Sequence, residues 1–85
     1  MKTFTYTIQD EIGIHARPAG NLAKKCKEFA SVITIAKGEK EAGATKLMAV
    51  MGLGVKCGDT ITVKAEGEDE DAAIEAVKEF LEANL

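Results

Sequence analysis

The sequence predicts an α+β fold, one sheet with helices stacked on one of its faces. The hydrophobic period switches between two and about 3.6 along the chain, in the order β, α, β, β, α, β, α. Each of those segments is apolar on one side only, and a sheet face and a helix stripe bury each other best in two layers. The composition agrees: 46% of the 85 residues are hydrophobic, only 5% are aromatic and Trp is absent, so the core is mainly aliphatic. A chain of this length builds one modest core, and residues 1–85 are expected to form one domain.

In "TFTYTIQ", Thr3, Thr5 and Thr7 alternate with Phe4, Tyr6 and Ile8, the period of a half-buried strand. "QDEIG" ends that pattern. From Pro18, Ala19, Leu22, Ala23 and Cys26 recur at helical spacing, with Lys24, Lys25 and Lys27 mainly off the stripe. Pro18 suits a first helical turn, where its missing N–H costs nothing. Gly20 disfavours the helix by about 0.5–1 kcal/mol relative to Ala, which points to close packing or a close partner. "SVITIA" (31–36) is β-branched and reads as a second strand. Gly38 turns the chain into a short third strand around Lys40 to Ala42. "TKLMAVMGLG" is a short helix with Thr45 as its expected N-cap and Gly52 and Gly54 at its end. "DTITVKAEG" is a fourth strand, with Ile61, Val63 and Ala65 facing in and Thr60, Thr62, Lys64 and Glu66 facing out. The last helix runs from about Asp69 to Asn84. Ala73, Ile74, Val77, Phe80 and Leu81 form its inward stripe, and acidic residues sit at its favourable, positive end.

A net charge of −3 argues against a nucleic-acid partner, which selects for a basic stripe. No apolar run approaches the roughly 20 residues of a membrane span. The alternating N-terminus lacks the apolar segment of a signal peptide, so a cytoplasmic location is expected. Cys26 and Cys57 lie far apart without metal-ligand spacing; both are expected as free thiols, one packed and one in a loop, and no metal is expected.

The stretch "GIHARPAG" (13–20) holds the only histidine, arginine and proline of the chain. His15 directly precedes a helix whose first amide protons are unpaired and whose dipole places roughly half a positive charge there. Such a helix start is an anion site. Arg17 adds a full charge and a planar donor fork suited to phosphate oxygens. Both favour the neutral imidazole, with a lone pair free to attack phosphorus, and both stabilise the dianionic group after it arrives. A lone His before a helix is also commonly a surface residue or a cap, and an exposed Arg commonly just solvated. No second His, Ser-His-Asp set, nucleotide loop or acid–base carboxylate pair accompanies these residues. The chain thus offers a place for a phosphoryl group and no equipment to make or break one unaided: a carrier, not a turnover enzyme, without a cofactor.

"GIHARPAG" closely resembles the phosphorylation-site motif of HPr, the histidine-containing phosphocarrier family of the bacterial phosphoenolpyruvate:sugar phosphotransferase system. "KLMAVMGLGVKCGDTITVKAEGEDEDAA" (46–73) is similar to that family's second characteristic stretch, and the resemblance covers essentially the whole chain. It implies an open-faced β-sandwich, a four-stranded antiparallel sheet with three helices on one side. It further implies that His15 accepts phosphate on Nδ1 from phosphorylated Enzyme I, itself charged by phosphoenolpyruvate. His15 then passes the group to the A components of sugar-specific Enzyme II. Arg17 is the implied phosphate partner, and the amides of Ala16 and Arg17 cradle the oxygens. The implied docking surface holds Gly20, Lys24, Lys27, Leu47, Met48 and Met51. Methionine suits a surface that meets several partners, and of Met48 and Met51 one is expected exposed and one buried. Lys24 and Lys27 can steer an acidic partner in spite of the negative total. A monomer is the expectation for this family.

Two positions depart from the family pattern. Lys46 stands where many relatives carry a regulatory serine, which puts serine-based control in doubt; the neighbouring Thr45 is the expected cap rather than a substitute. Ile12 stands where many carry a small polar residue. Three functions stay open on the sequence: a carrier for sugar uptake, a regulatory or nitrogen-linked carrier, and a binding module never phosphorylated on His15. Retention of His15 with Arg17 speaks against the last.

Overall fold

The computed structural model of the chain describes residues 1–11, 13 and 16–85. Expectations resting on Ile12 and His15, and on the side chain of Ala16, lie outside the described residues. The elements are β1 (Lys2–Thr7), α1 (Ala16–Cys26), β2 (Val32–Lys37), β3 (Lys40–Gly43), α2 (Leu47–Gly52), β4 (Thr60–Glu66) and α3 (Glu70–Asn84). The strands form one antiparallel sheet in the order β1-β4-β2-β3.

β4 lies inside the sheet because its alternation is the cleanest. Val63 faces Phe4 of β1 on one side and Ile35 of β2 on the other. Ile61, Val63 and Ala65 are fully buried. α3 lies over β1 and β4, α1 packs between α3 and α2, and α2 reaches β3. Leu22 and Cys26 of α1, Val50 of α2, and Ala73, Val77 and Leu81 of α3 join the sheet residues in one core. Burying a side chain such as Leu22 contributes about 1.5–3 kcal/mol. Ile74 and Phe80 are half-buried at its rim. The opposite face of the sheet is open: Thr3, Thr5 and Thr60 are exposed on it, as is Val32. The fold is an open-faced β-sandwich with three helices on one side.

All seven predicted elements are in place in the predicted order, with instructive differences at their ends. Thr45 does not cap α2. Lys46 holds the cap position with extended backbone (φ −105°, ψ 94°) and no side-chain cap bond. Its N–H donates to Gly43 O at 3.0 Å, a turn that carries the chain one residue beyond Thr45 before the helix begins. Asp69 stands at the N-cap of α3 but makes no cap bond there. Its carboxylate instead reaches across to the segment just before β2, accepting from the N–H groups of Ala30 and Ser31, each at 2.9 Å, and from the Ser31 hydroxyl. That pull explains why Ser31 is buried ahead of β2, which starts at Val32. The two thiols are free, Cys26 buried and Cys57 exposed, and burial pushes the Cys26 thiol up to about 11. Among the described residues no helix is long and apolar enough to cross a membrane.

Candidate functional site

α1 begins at Ala16, the residue after His15 in sequence. Ala16 and Arg17 hold its first two positions, whose N–H groups have no acceptor within the helix, and Pro18 in the same turn has no N–H at all. The first turn carries no acidic residue, so nothing on the helix itself neutralises its positive end. Pro18 is buried and anchors the turn; Arg17 is exposed beside it. Arg17 and Pro18 line an open pocket of about 280 Å³ with Asp10, Asn21 and Asn84.

Three of those lining residues were not singled out in the sequence. Asn21 was findable, because it lies four positions after Arg17 and so on the same helix face. Asp10 and Asn84 were not, since only tertiary closure brings them near. The backbone oxygen of Leu85 accepts from the N–H groups of Gln9 and Asp10, at 2.6 and 2.9 Å, and so ties the end of α3 to the segment before His15. Asn84 donates from Nδ2 to Phe80 O at 3.0 Å.

Gly13 shows why glycine stands two residues before the histidine. Its φ is +82°, and a Cβ there would fall 2.7 Å from Lys56 Cα, also striking Val55 O. Gly13 therefore lies directly on the Val55–Lys56 backbone. Its N–H donates to Asp10 O at 3.0 Å.

The predicted docking residues come together on adjoining helices. Gly20 and Lys24 follow Arg17 at helical spacing, and Lys27 extends the same path, its N–H bonding to Ala23 O at 3.1 Å. Lys24 and Lys27 are exposed. Gly20 is not explained by close packing, for a Cβ there would meet nothing within 4 Å. On α2, Met48 is 76% exposed, while Leu47 and Met51 are half-buried against the core. The expectation of one exposed and one buried methionine thus holds for Met48 and holds in part for Met51.

The comparisons with known proteins agree with this geometry. The family model described as the PTS HPr component phosphorylation site matches residues 2–83. The phosphocarrier protein HPr of Lysinibacillus sphaericus is 47% identical over 81 residues, 95% of this chain and 92% of that protein. The phosphocarrier protein NPr of Shewanella violacea is 40% identical over 79 residues, covering 93% of this chain and 87% of that one. The crystal structure of HPr-C-His from Thermoanaerobacter tengcongensis superposes with a TM-score of 0.93 at 37% identity, over 98% of this chain and 93% of the other. With a matching fold and a match running through both motifs, the chain belongs to the HPr family of phosphocarriers of the phosphotransferase system.

Proposed function

We propose that His15 is the residue that carries the phosphoryl group. The lone pair of its Nδ1 attacks the phosphorus held by phosphorylated Enzyme I; the N–P bond forms as the bond to the donor breaks. The reverse exchange, with an A component of Enzyme II as acceptor, returns the imidazole to its free state. The charge on Arg17 and the amides of Ala16 and Arg17 hold the phosphoryl oxygens, acting as preorganised donors for charge that moves through the site. Gly20, Lys24, Lys27, Leu47, Met48 and Met51 form the docking face, its lysines steering acidic partners. Residues 1–85 act as one domain, a reading supported by a single core that unites all three helices with the sheet, and the chain acts as a monomer.

The observation that supports this reading most strongly is Arg17, exposed in a first helical turn that holds no acidic residue and lining an open pocket, two residues after the only histidine. Incubation with Enzyme I, magnesium and phosphoenolpyruvate is expected to raise the intact mass by one phosphate, in acid-labile, base-stable form. His15→Ala is expected to stay unlabelled, and equal labelling of that variant defeats the assignment. The NPr relative favours a second reading, in which the same phosphorylation addresses regulatory or nitrogen-linked recipients. Affinity capture with the phosphorylated and unphosphorylated chain separates the two by the recipients retained.

A further inference from the structure

Lys37 ends β2 on the far side of the loop that follows α2. Its Nζ donates to Gly54 O at 2.9 Å and pairs with Asp59 Oδ2 at 2.9 Å. The same carboxylate oxygen accepts the Lys56 N–H at 2.9 Å. One ammonium thus ties both ends of the 54–59 loop, and one carboxylate holds its middle. The loop is further fixed to the end of β1, with Ile8 N–H donating to Asp59 O at 2.9 Å and Gly58 N–H to Ile8 O at 2.8 Å. On the Val55–Lys56 part of this loop rests Gly13, at a distance that leaves no room for a Cβ. Lys37 and Asp59 are both about one-third exposed, so solvent competes for the pair.

We propose that Lys37 and Asp59 are positioning residues for phosphoryl transfer, a latch that holds the 54–59 loop as a shelf under Gly13 and so sets the approach of the chain to His15. The proposal rests on His15 being the phosphorylated residue. Neither side chain touches the phosphoryl group; both act through the backbone of Val55, Lys56 and Gly13. When the latch is broken the shelf under Gly13 loosens, which is expected to slow transfer to His15 and to open its phosphoryl group to water. The Lys64–Glu41 pair, at 2.6 Å, provides a matched control, since it spans the open sheet face away from this loop.

The test compares Lys37→Met, Asp59→Asn, Lys37→Arg and Lys64→Met with the parent chain. Three quantities are read: melting temperature, transfer from Enzyme I resolved into kcat and KM, and hydrolysis of the phosphorylated protein with no partner present. Lys37→Met and Asp59→Asn are expected to lower kcat and speed hydrolysis about two- to fivefold, the range open to an exposed ion pair, at unchanged KM. Lys37→Arg, which keeps charge and donors, and Lys64→Met are expected to match the parent. Unchanged hydrolysis in the first two variants overturns the latch, including the case where KM alone rises, which makes Lys37 a partner contact instead. An equal effect of Lys64→Met overturns it too, because general destabilisation then suffices. If Asp59→Asn does not fold, Lys37→Met decides alone, its apolar stem preserving the packing. A parent chain that takes no phosphate on His15 defeats the functional reading, whereas normal labelling with inert variants defeats only the latch.

Discussion

Gly13 and Gly20 sit seven positions apart in one motif and are glycines for opposite reasons. At Gly13 the backbone is left-handed and pressed against Val55 and Lys56, so Gly13→Ala is expected to destabilise the fold by about 1–3 kcal/mol, read as a lower melting temperature. At Gly20 the helix is ordinary and the space open, so Gly20→Ala is expected to stabilise the free protein by about 0.5–1 kcal/mol in the same assay. A rise in melting temperature shows that the fold does not need Gly20, as the proposed docking role requires, and a fall contradicts it. Arg17 is exposed and its removal costs the core nothing. Arg17→Ala is expected to slow phosphoryl transfer about tenfold or more with an unchanged melting temperature, as loss of a single charge-stabilising donor does. Wild-type kinetics in that variant make the guanidinium dispensable.

The two helices that carry the proposed docking residues, α1 and α2, behave differently as elements. α1 is a long amphipathic helix with a fully buried stripe at Ala19, Leu22 and Cys26, and was legible from spacing alone. α2 has six residues and one fully buried side chain, Val50, so its position depends on neighbours rather than on propensity. This is why Thr45 misled as a cap: residue type favoured it, but the turn from β3 delivers Lys46 to that place. The same cause separates Met48 from Met51, since only the actual start of the helix decides which points outward. Met48→Glu is expected to leave the fold intact and weaken affinity for Enzyme I about tenfold, measured by titration calorimetry. Undiminished affinity removes Met48 from the interface.

At the scale of the whole molecule, three carboxylates link the ends of elements that are remote in sequence. The Ser31 hydroxyl, with the amides of Ala30 and Ser31, holds Asp69 below the usual carboxylate range. The Lys37 ammonium does the same for Asp59, and the Met1 ammonium for Glu70. Each depressed value favours the folded state once the unfolded chain's carboxylate is ionised, and that stabilisation disappears as pH falls through the folded value. Thermal stability is therefore expected to be flat around neutrality and to drop below about pH 4. Asp69→Asn is expected to melt lower at neutral pH and to lose less on acidification than the parent. An unchanged acid slope in that variant shows that Asp69 is not part of the effect.

Alternation and helical spacing made the four strands and the helix layer readable, but not the place of β4 inside the sheet, because one-sided burial writes itself into the order of residues while strand order does not. The start of α1 was readable as well, since Pro18 marks it locally. The Lys37–Asp59 bridge, the reach of Asp69 to Ser31 and the pocket formed with Asp10 and Asn84 were not. Each joins residues whose proximity exists only after the sheet has closed, and no local pattern records it.

The central claim is that a phosphoryl group on His15 is held by the start of α1. Amide ¹H–¹⁵N NMR spectra of the chain before and after phosphorylation test it most directly. The amides of Ala16 and Arg17 are expected to move strongly downfield as they bond to phosphoryl oxygens, together with a phosphorus-coupled Nδ1 on His15. Phosphorylation that leaves both amides in place, or that couples phosphorus to any other side chain, contradicts the account.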